Sequence, residues 1–273
     1  VHNRSQGRYR HGKEDIPAKI GKNITTTIDL DLQLYAEKLF QHKKGAVVAI
    51  EPATGEVLAM LSAPYYDPGL LVGRVRGKNY AMLSNDTLAP LFNRALRAKY
   101  PPGSTFKPVN ALIGLQEKVI NINTRFVCNG PESTPIRCTH HHVTPTNVVE
   151  GIRESCNPFM WNVFRRIIGK FKTPDKGFNA WRNYVQKFGI GTILGRDFTN
   201  AIKGDLPTEE LYNRIYGKGH WNAKTIRSLS IGQGEIGTIP LQMANVAAAI
   251  ANRGFYYEPH IVKKIENDTV RRS

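Results

Sequence analysis

The sequence predicts an α+β fold in which an antiparallel sheet packs against helices. Two apolar runs, Gly45–Ile50 and Glu56–Leu61, have the length and composition of β-strands. Between them, Pro52 to Gly55 has the residue types of a tight turn, so we expect a β-hairpin that is central in the sheet. From Ser104 to Glu117 apolar side chains recur at helical spacing, which predicts a buried helix.

Composition and charge exclude several classes of protein. Of the 273 residues, 41% are apolar and 22% are charged, which is typical of a folded domain and not of a disordered chain. The net charge of +16 fits an acidic partner or a position beside an anionic membrane surface. The basic residues are scattered in small groups and form no stripe interleaved with aromatic residues, so we expect no nucleic-acid partner. No run approaches the roughly 18 apolar residues of a membrane-spanning helix.

The chain divides into a connector and one large domain. Residues 1–22 are polar, basic and contain glycine, so we expect a connector or the end of a preceding domain there. The main domain is expected over residues 23–273. Because the chain begins at Val1 and not at a methionine, we expect it to be a piece of a longer protein.

Local patterns predict the remaining elements. A strand at Thr25–Ile28 precedes a helix that Asp29 or Asp31 can cap. Residues 64–102 show little periodicity and should cross the surface, whereas residues 240–252 predict a structural helix that ends before Gly254. One face of the helix after Asp29 is expected to carry Leu34, Tyr35, Leu39 and Phe40.

Ser104 and Lys107 have the spacing of a nucleophile and its base. A serine hydroxyl needs a nearby base to take its proton, and a lysine three residues further on lies about one helical turn away on the same face. The amide groups at the start of the helix would favour a developing oxyanion. The alternative is that Ser104 is a helix cap and Lys107 a solvated side chain, and this spacing alone decides little between the two.

Ser155 and Asn157 form a second candidate motif, about fifty residues downstream and just before a largely apolar run. Ser155 can relay a proton between the lysine and a leaving group, and the Asn157 amide can hold a substrate carbonyl together with the lysine ammonium. The alternative is again that these residues cap a helix, because serine and asparagine are both favoured at that position. The order and spacing of the two motifs carry more information than either motif alone.

Several segments resemble those of one known family. Ser-x-x-Lys followed by Ser-x-Asn is the order found in the penicillin-recognising serine enzymes. From about residue 22 onward the chain resembles the class B penicillin-binding proteins, and among them the elongation-type members. The segments that carry this resemblance are Gly45–Pro52 with Thr54–Glu56, Pro101–Pro108, Ser230–Gly234 and Pro240–Ala244.

The resemblance implies a peptidoglycan D,D-transpeptidase. Ser104 would attack the D-Ala-D-Ala bond of a stem peptide, release D-alanine and pass the acyl group to an amine, and β-lactams would trap the same serine. It also implies an antiparallel sheet beside an all-helical half and a parent protein anchored in the inner membrane with this domain at the periplasmic face. A membrane glycosyltransferase of the elongation machinery would be a partner. A penicillin-binding scaffold or sensor without turnover shares every motif and remains an alternative.

One motif of the family is absent from these residues. Lys224-Thr225-Ile226 lacks the glycine of Lys-Thr-Gly, and it precedes Gly232-Gln233-Gly234 where the family motif should follow. We expect the true motif, and the last strands of the sheet, beyond Ser273. The chain as given would then be an incomplete catalyst, because losing one oxyanion-hole donor costs on the order of a hundredfold in rate.

Two further groups of residues leave alternatives open. Gly232, Gln233 and Gly234 are expected to turn the backbone near the substrate and not to cradle a phosphate, because no lysine follows at the required place. Cys128, Cys138 and the run His140-His141-His142 have the atoms of a zinc site, with Cys156 near it. Because the spacing matches no standard zinc finger, we favour a disulfide or free thiols, and we expect no cofactor.

Overall fold

The structure is a computed structural model that describes residues 20–195 and 197–266. It confirms the α+β fold. Its strands and α-helices are, in chain order, β1 (Ile24–Thr26), α1 (Leu30–Leu39), β2 (Gly45–Ile50), β3 (Val57–Ala63), α2 (Arg76–Asn85), α3 (Arg94–Arg97), α4 (Lys107–Gln116), α5 (Val148–Arg153), α6 (Asn157–Gly169), α7 (Pro174–Lys187), α8 (Glu209–Tyr216), α9 (Pro240–Ala251) and β4 (Val262–Ile265).

The described residues belong to two compact units. The larger unit, Thr27–Ile261, contains the hairpin and all the helices named above. In the smaller unit β1 pairs with β4 in an antiparallel sheet of two strands. The connector expected over residues 1–22 lies almost wholly outside the described residues. Among the described residues, none of the helices has the length and apolar character needed to cross a membrane.

The predicted hairpin is confirmed. Strands β2 and β3 are antiparallel, and their pairing begins with Gly45 opposite Ala63. The register shifts once, between Ala49 and Ile50. Gly55 turns the chain with φ +79°, and a Cβ there would lie 2.9 Å from the carbonyl oxygen of Glu258, so only glycine fits. Among residues 20–195 and 197–266 this sheet has two strands, so the central position expected for the hairpin is not seen there.

The main core lies in the helical half of the larger unit. Helix α6 buries most of its apolar side chains, including Phe159 and Phe164. Helix α7 contributes Trp181, whose ring meets Phe164 edge-on with centroids 5.6 Å apart. The two helices approach closely at Gly177, where a Cβ would lie 2.1 Å from the carbonyl oxygen of Ile168. This core is the support on which the candidate site rests.

Two predictions of local structure need correction. The segment 64–102 contains helices α2 and α3, which its pattern did not reveal because α2 buries a single residue, Leu83. The apolar face expected on α1 is largely exposed, and Leu34 is 52% accessible. Helix α1 buries Ala36 instead, and the Gln33 side chain both donates to and accepts from the backbone of Met60 on β3.

Candidate active site

Ser104 lies in a tight turn that precedes the helix, not in the helix itself. A 3₁₀ turn covers Gly103–Phe106, and the α-helix begins at Lys107. The reason is Pro108, which has no N–H to donate to the Ser104 carbonyl four residues back. The Lys107 N–H bonds that carbonyl instead, three residues back. Ser104 is exposed, whereas Phe106 is fully buried and fixes the turn to the core.

Lys107 is buried and contacts both residues of the second motif. Its side chain is 2% exposed. Its Nζ donates to the Ser155 carbonyl, to Ser155 Oγ at 2.8 Å and to Asn157 Oδ1 at 2.6 Å. Burial lowers the pKa of Lys107 below the ordinary lysine value, because desolvation penalises the ammonium form. A lysine in this state gives up its proton more readily than a solvated lysine does.

The junction of α5 and α6 aims Ser155 at the lysine. Ser155 adopts a left-handed backbone with φ +51°, which is unusual for a residue other than glycine. Its carbonyl and hydroxyl both accept from Lys107, while the amide nitrogen of Asn157 donates to the Arg137 carbonyl at 2.9 Å. The amide of Asn157 is thereby held with its oxygen toward the lysine.

The helix-cap alternatives are wrong for these residues. The cap of α6 is Cys156, whose Sγ accepts from the Phe159 N–H at 3.4 Å. Neither Ser104 nor its neighbours supply a side-chain cap to α4 or to the turn before it. Lys107 is buried and is therefore not a solvated side chain. The structure therefore brings Lys107, Ser155 and Asn157 together and leaves Ser104 exposed one turn away.

Of the three predicted substrate-binding residues, Gly232 touches the Ser104 turn. Its carbonyl accepts from the Gly103 N–H at 2.8 Å. Its φ is +68°, and a Cβ there would lie 2.3 Å from the Gly103 carbonyl oxygen. Gln233 and Gly234 are exposed and follow at once, so their role in binding substrate remains a prediction.

Sequence reasoning missed the residues that hold this glycine-rich segment in place. Asn110 on α4 is fully buried, and its amide donates to the carbonyls of Leu229 at 3.2 Å and Ser230 at 2.9 Å. Trp181 donates from Nε1 to Asn110 Oδ1 at 2.7 Å. The available signal was an asparagine on the apolar face of a buried helix, where an unpaired amide is costly.

The tripeptide Lys224-Thr225-Ile226 is part of a turn. Thr225 Oγ1 accepts from the Asn222 N–H at 3.2 Å, and Lys224 is exposed. That this tripeptide is not the third catalytic motif stays a prediction.

The cysteines gather around one of the three histidines. One ligand atom each from Cys128, Cys138, His142 and Cys156 lies within 4.8 Å of all the others, and the three cysteines are free thiols. His140 and His141 are not in this group and lie 3.5 Å from Glu154 and Glu132, respectively.

The thiols of this cluster differ in acidity. Burial disfavours the thiolate of Cys138, but hydrogen bonds from the backbone at Asn157 and His140, and from the His142 side chain, outweigh it and lower its pKa to about 7. Burial raises the pKa of Cys156. The pKa of His142 is raised because a bond to the Val143 carbonyl and the Cys138 contact outweigh its desolvation. The donor set of three sulfur atoms and one nitrogen is typical of structural zinc.

The fold and this arrangement define a family, and the comparison with known families agrees. Residues 45–273 match the penicillin binding protein transpeptidase domain, and the chain belongs to that family. It is 33% identical over 273 residues to the peptidoglycan D,D-transpeptidase MrdA of Escherichia coli K12, a match that covers 97% of this chain. The same match covers 41% of MrdA, so the chain spans about two fifths of that relative's length.

Solved structures show the same likeness. Pseudomonas aeruginosa PBP2 in complex with WCK 5153 superposes with a TM-score of 0.78 at 32% identity, over 93% of this chain and 57% of that one. Penicillin-binding protein A of M. tuberculosis, a ceftriaxone acyl-enzyme complex, gives 0.74 at 27% identity, over 90% and 54%. A chain of a peptidoglycan synthase complex that coordinates polymerization and crosslinking gives 0.74 at 28% identity, over 93% and 46%.

Proposed function

We propose that this chain is the transpeptidase part of a peptidoglycan D,D-transpeptidase that cross-links stem peptides through an acyl-enzyme at Ser104. The observation that carries the proposal is the buried Lys107, one turn after an exposed serine and bonded to Ser155 and Asn157. The relatives named as peptidoglycan D,D-transpeptidases support the reaction class. Residues 23–273 would form this domain, with 1–22 as a connector.

The first half of the reaction forms the acyl-enzyme. Neutral Lys107 takes the proton of Ser104 Oγ, which attacks the carbonyl carbon between the two D-alanines. As the C–N bond breaks, Ser155 passes its hydroxyl proton to the leaving nitrogen and takes in exchange the proton that Lys107 accepted, so D-alanine departs and Lys107 is neutral again. Asn157 holds the lysine through its amide oxygen. A tetrahedral oxyanion would be stabilised by backbone N–H groups at the start of the helix.

The second half transfers the acyl group. An amine of a neighbouring stem peptide attacks the ester carbonyl, gives up a proton to the Ser155–Lys107 pair, and Ser104 Oγ regains its proton as the ester breaks. A β-lactam would form the same ester but block this step. No cofactor enters either half of this scheme.

The proposal is tested by turnover, which separates an enzyme from a scaffold. The full-length protein should release D-alanine from a peptide that ends in D-Ala-D-Ala, and Ser104→Ala should abolish the release. Ser84→Ala removes an exposed serine on α2 and serves as the matched control. A full-length protein that is acylated by penicillin but releases no D-alanine would favour the scaffold alternative.

The proposed setting is the periplasmic face of the inner membrane. The basic net charge of +16 suits a place beside an anionic surface. The structural likeness to a chain of a complex that coordinates polymerization and crosslinking supports a membrane glycosyltransferase as partner. Co-purification of the full-length protein from membranes with such a polymerase would support both parts. Recovery in the soluble fraction without it would contradict them.

We also propose that Cys128, Cys138, His142 and Cys156 hold a structural zinc ion. Their ligand atoms already converge within 4.8 Å, and a pKa of about 7 makes Cys138 partly a thiolate at neutral pH. Zinc would tie Cys156, which lies between Ser155 and Asn157, to the loop that carries Cys128 and Cys138. The zinc would brace the second motif and take no part in the chemistry.

Metal analysis of the purified protein tests the zinc proposal. About one zinc per chain is expected, together with its loss in Cys138→Ser. His141→Ala removes an exposed histidine of the same run and should keep the metal. Protein purified without chelators that contains no zinc, or a Cys138→Ser protein that retains it, would contradict the proposal.

A further inference from the structure

A cavity that the reaction scheme does not use lies along one side of helix α6. Its volume is about 570 Å³, within the range of sites that hold small organic ligands. Trp161, Arg165 and Ile168 of α6 line it, together with Lys224 and its neighbours Asn222 and Ala223.

The charges of this cavity are all of one sign. Arg165 and Lys224 are its charged residues, and no carboxylate lines it. Within the described part of the chain neither cation forms an ion pair, and Arg165 donates to the Asn162 side chain at 3.2 Å. The floor is apolar, since Trp161 and Ile168 belong to the main core. Cations above an apolar floor fit a ligand that combines a carboxylate with an apolar body.

The geometry of α6 relates the cavity to the candidate active site. The helix begins at Asn157 and turns about 100° per residue, so Trp161, Arg165 and Ile168 lie within about 80° of Asn157 around its axis. At a rise of 1.5 Å per residue, Arg165 lies about 12 Å along the axis from Asn157. An extended peptide covers about 3.3–3.6 Å per residue, so three to four residues span this distance.

We propose that this cavity is a subsite for a carboxylate of the substrate peptide, three to four residues before the scissile bond. Arg165 and Lys224 would bind the carboxylate while the apolar floor takes the adjoining chain. The inference rests on the proposed function, because it counts residues from a scissile bond held at Ser104 and Asn157. Arg165 and Lys224 would thus contribute to substrate specificity without belonging to the catalytic motifs.

The test compares pairs of synthetic peptides as competitors of fluorescent penicillin on the full-length protein. Each acetylated peptide ends in D-Ala-D-Ala and carries glutamate or glutamine at the third or fourth residue before the scissile bond. At one of these positions the glutamate peptide should compete about fivefold to tenfold better than its glutamine twin, as expected for contacts to partly exposed cations. The advantage should fall to about one in the double variant Arg165→Gln, Lys224→Met.

Two controls keep the outcomes distinct. Lys172→Met removes a nearby exposed cation that does not line the cavity and should keep the advantage of glutamate. Penicillin labelling without peptide should be unchanged in all three proteins. If the wild-type protein treats the twins alike at both positions, or the double variant still prefers glutamate, the subsite is refuted and an acidic segment of another protein becomes the remaining occupant. If penicillin labels no protein at all, the proposed function fails, and the subsite with it.

Discussion

Replacing Gly232 by alanine should separate the geometry of the Ser104 turn from general stability. Gly232 is in the left-handed region, at φ +68°, and its carbonyl accepts from Gly103 beside the candidate nucleophile. An added Cβ would lie 2.3 Å from the Gly103 carbonyl oxygen and 2.7 Å from Phe106 Cβ. Because ordinary contact begins near 3.4 Å, the two segments would have to separate by about 1 Å.

The substitution should destabilise the fold in two ways. The left-handed backbone costs an alanine about 1–2 kcal/mol, and overpacking against a buried residue adds about 1–3 kcal/mol. Together these costs come to about 2–5 kcal/mol, and at about 2–4 °C for each kcal/mol the melting temperature should fall by roughly 4–20 °C. A misplacement of about 1 Å at a reacting group costs on the order of a hundredfold in rate. We therefore expect Gly232→Ala to slow acylation of Ser104 by about a hundredfold.

The expected slowing of acylation is tested by the rate of labelling with fluorescent penicillin. This rate is measured below the melting temperature of each variant. Gly73→Ala is the matched control, because Gly73 also has a left-handed backbone, at φ +77°, but a Cβ there meets no atom within 4 Å. It should lose stability through backbone strain and keep its labelling rate. A folded Gly232→Ala protein that labels as fast as the wild type would refute the proposed coupling between this glycine and the nucleophile.

Two further predictions concern Lys107 and Glu117. Lys107→Met removes the proposed base and should slow penicillin labelling by about 10²–10⁴-fold, and labelling at the normal rate would exclude that role. Glu117 bonds Lys170 at 2.6 Å, and the hydrogen bonds from Lys170 and Tyr184 lower its pKa. A lowered carboxyl pKa stabilises the fold above about pH 4.3 and less as the pH falls, so Glu117→Gln should lose up to about 1 kcal/mol at pH 7 and little at pH 3. Equal losses at both pH values in thermal melts would contradict this assignment.

Local chemistry allowed the hairpin to be predicted, and it indicated both candidate motifs, whose catalytic role stays a prediction. The Pro52–Gly55 turn and the apolar runs beside it are short-range signals, and the pairing of β2 with β3 follows from them. The α4 boundary moved to Lys107 for an equally local reason, the missing N–H of Pro108. Features that depend on a few neighbouring residues could therefore be predicted from the sequence.

The contacts between distant residues could not be predicted in the same way. Lys107 meets Ser155 across 48 residues of sequence, and the resemblance to a known family, not the spacing, suggested that pairing. The choice of His142 over His140 and His141 depends on how the loop folds back toward Cys156. Asn110 was missed because its partners, such as Ser230, lie 120 residues away. Such contacts are set by packing of the whole core.

Mass spectrometry can identify the residue that carries the acyl group, which we propose to be Ser104. The full-length protein is incubated with a β-lactam and digested, and the peptide that bears the added mass is identified. We expect one adduct, on Ser104, that is absent from Ser104→Ala and present in Ser84→Ala. An adduct on any other residue, or one that persists in Ser104→Ala, would exclude Ser104 as the nucleophile.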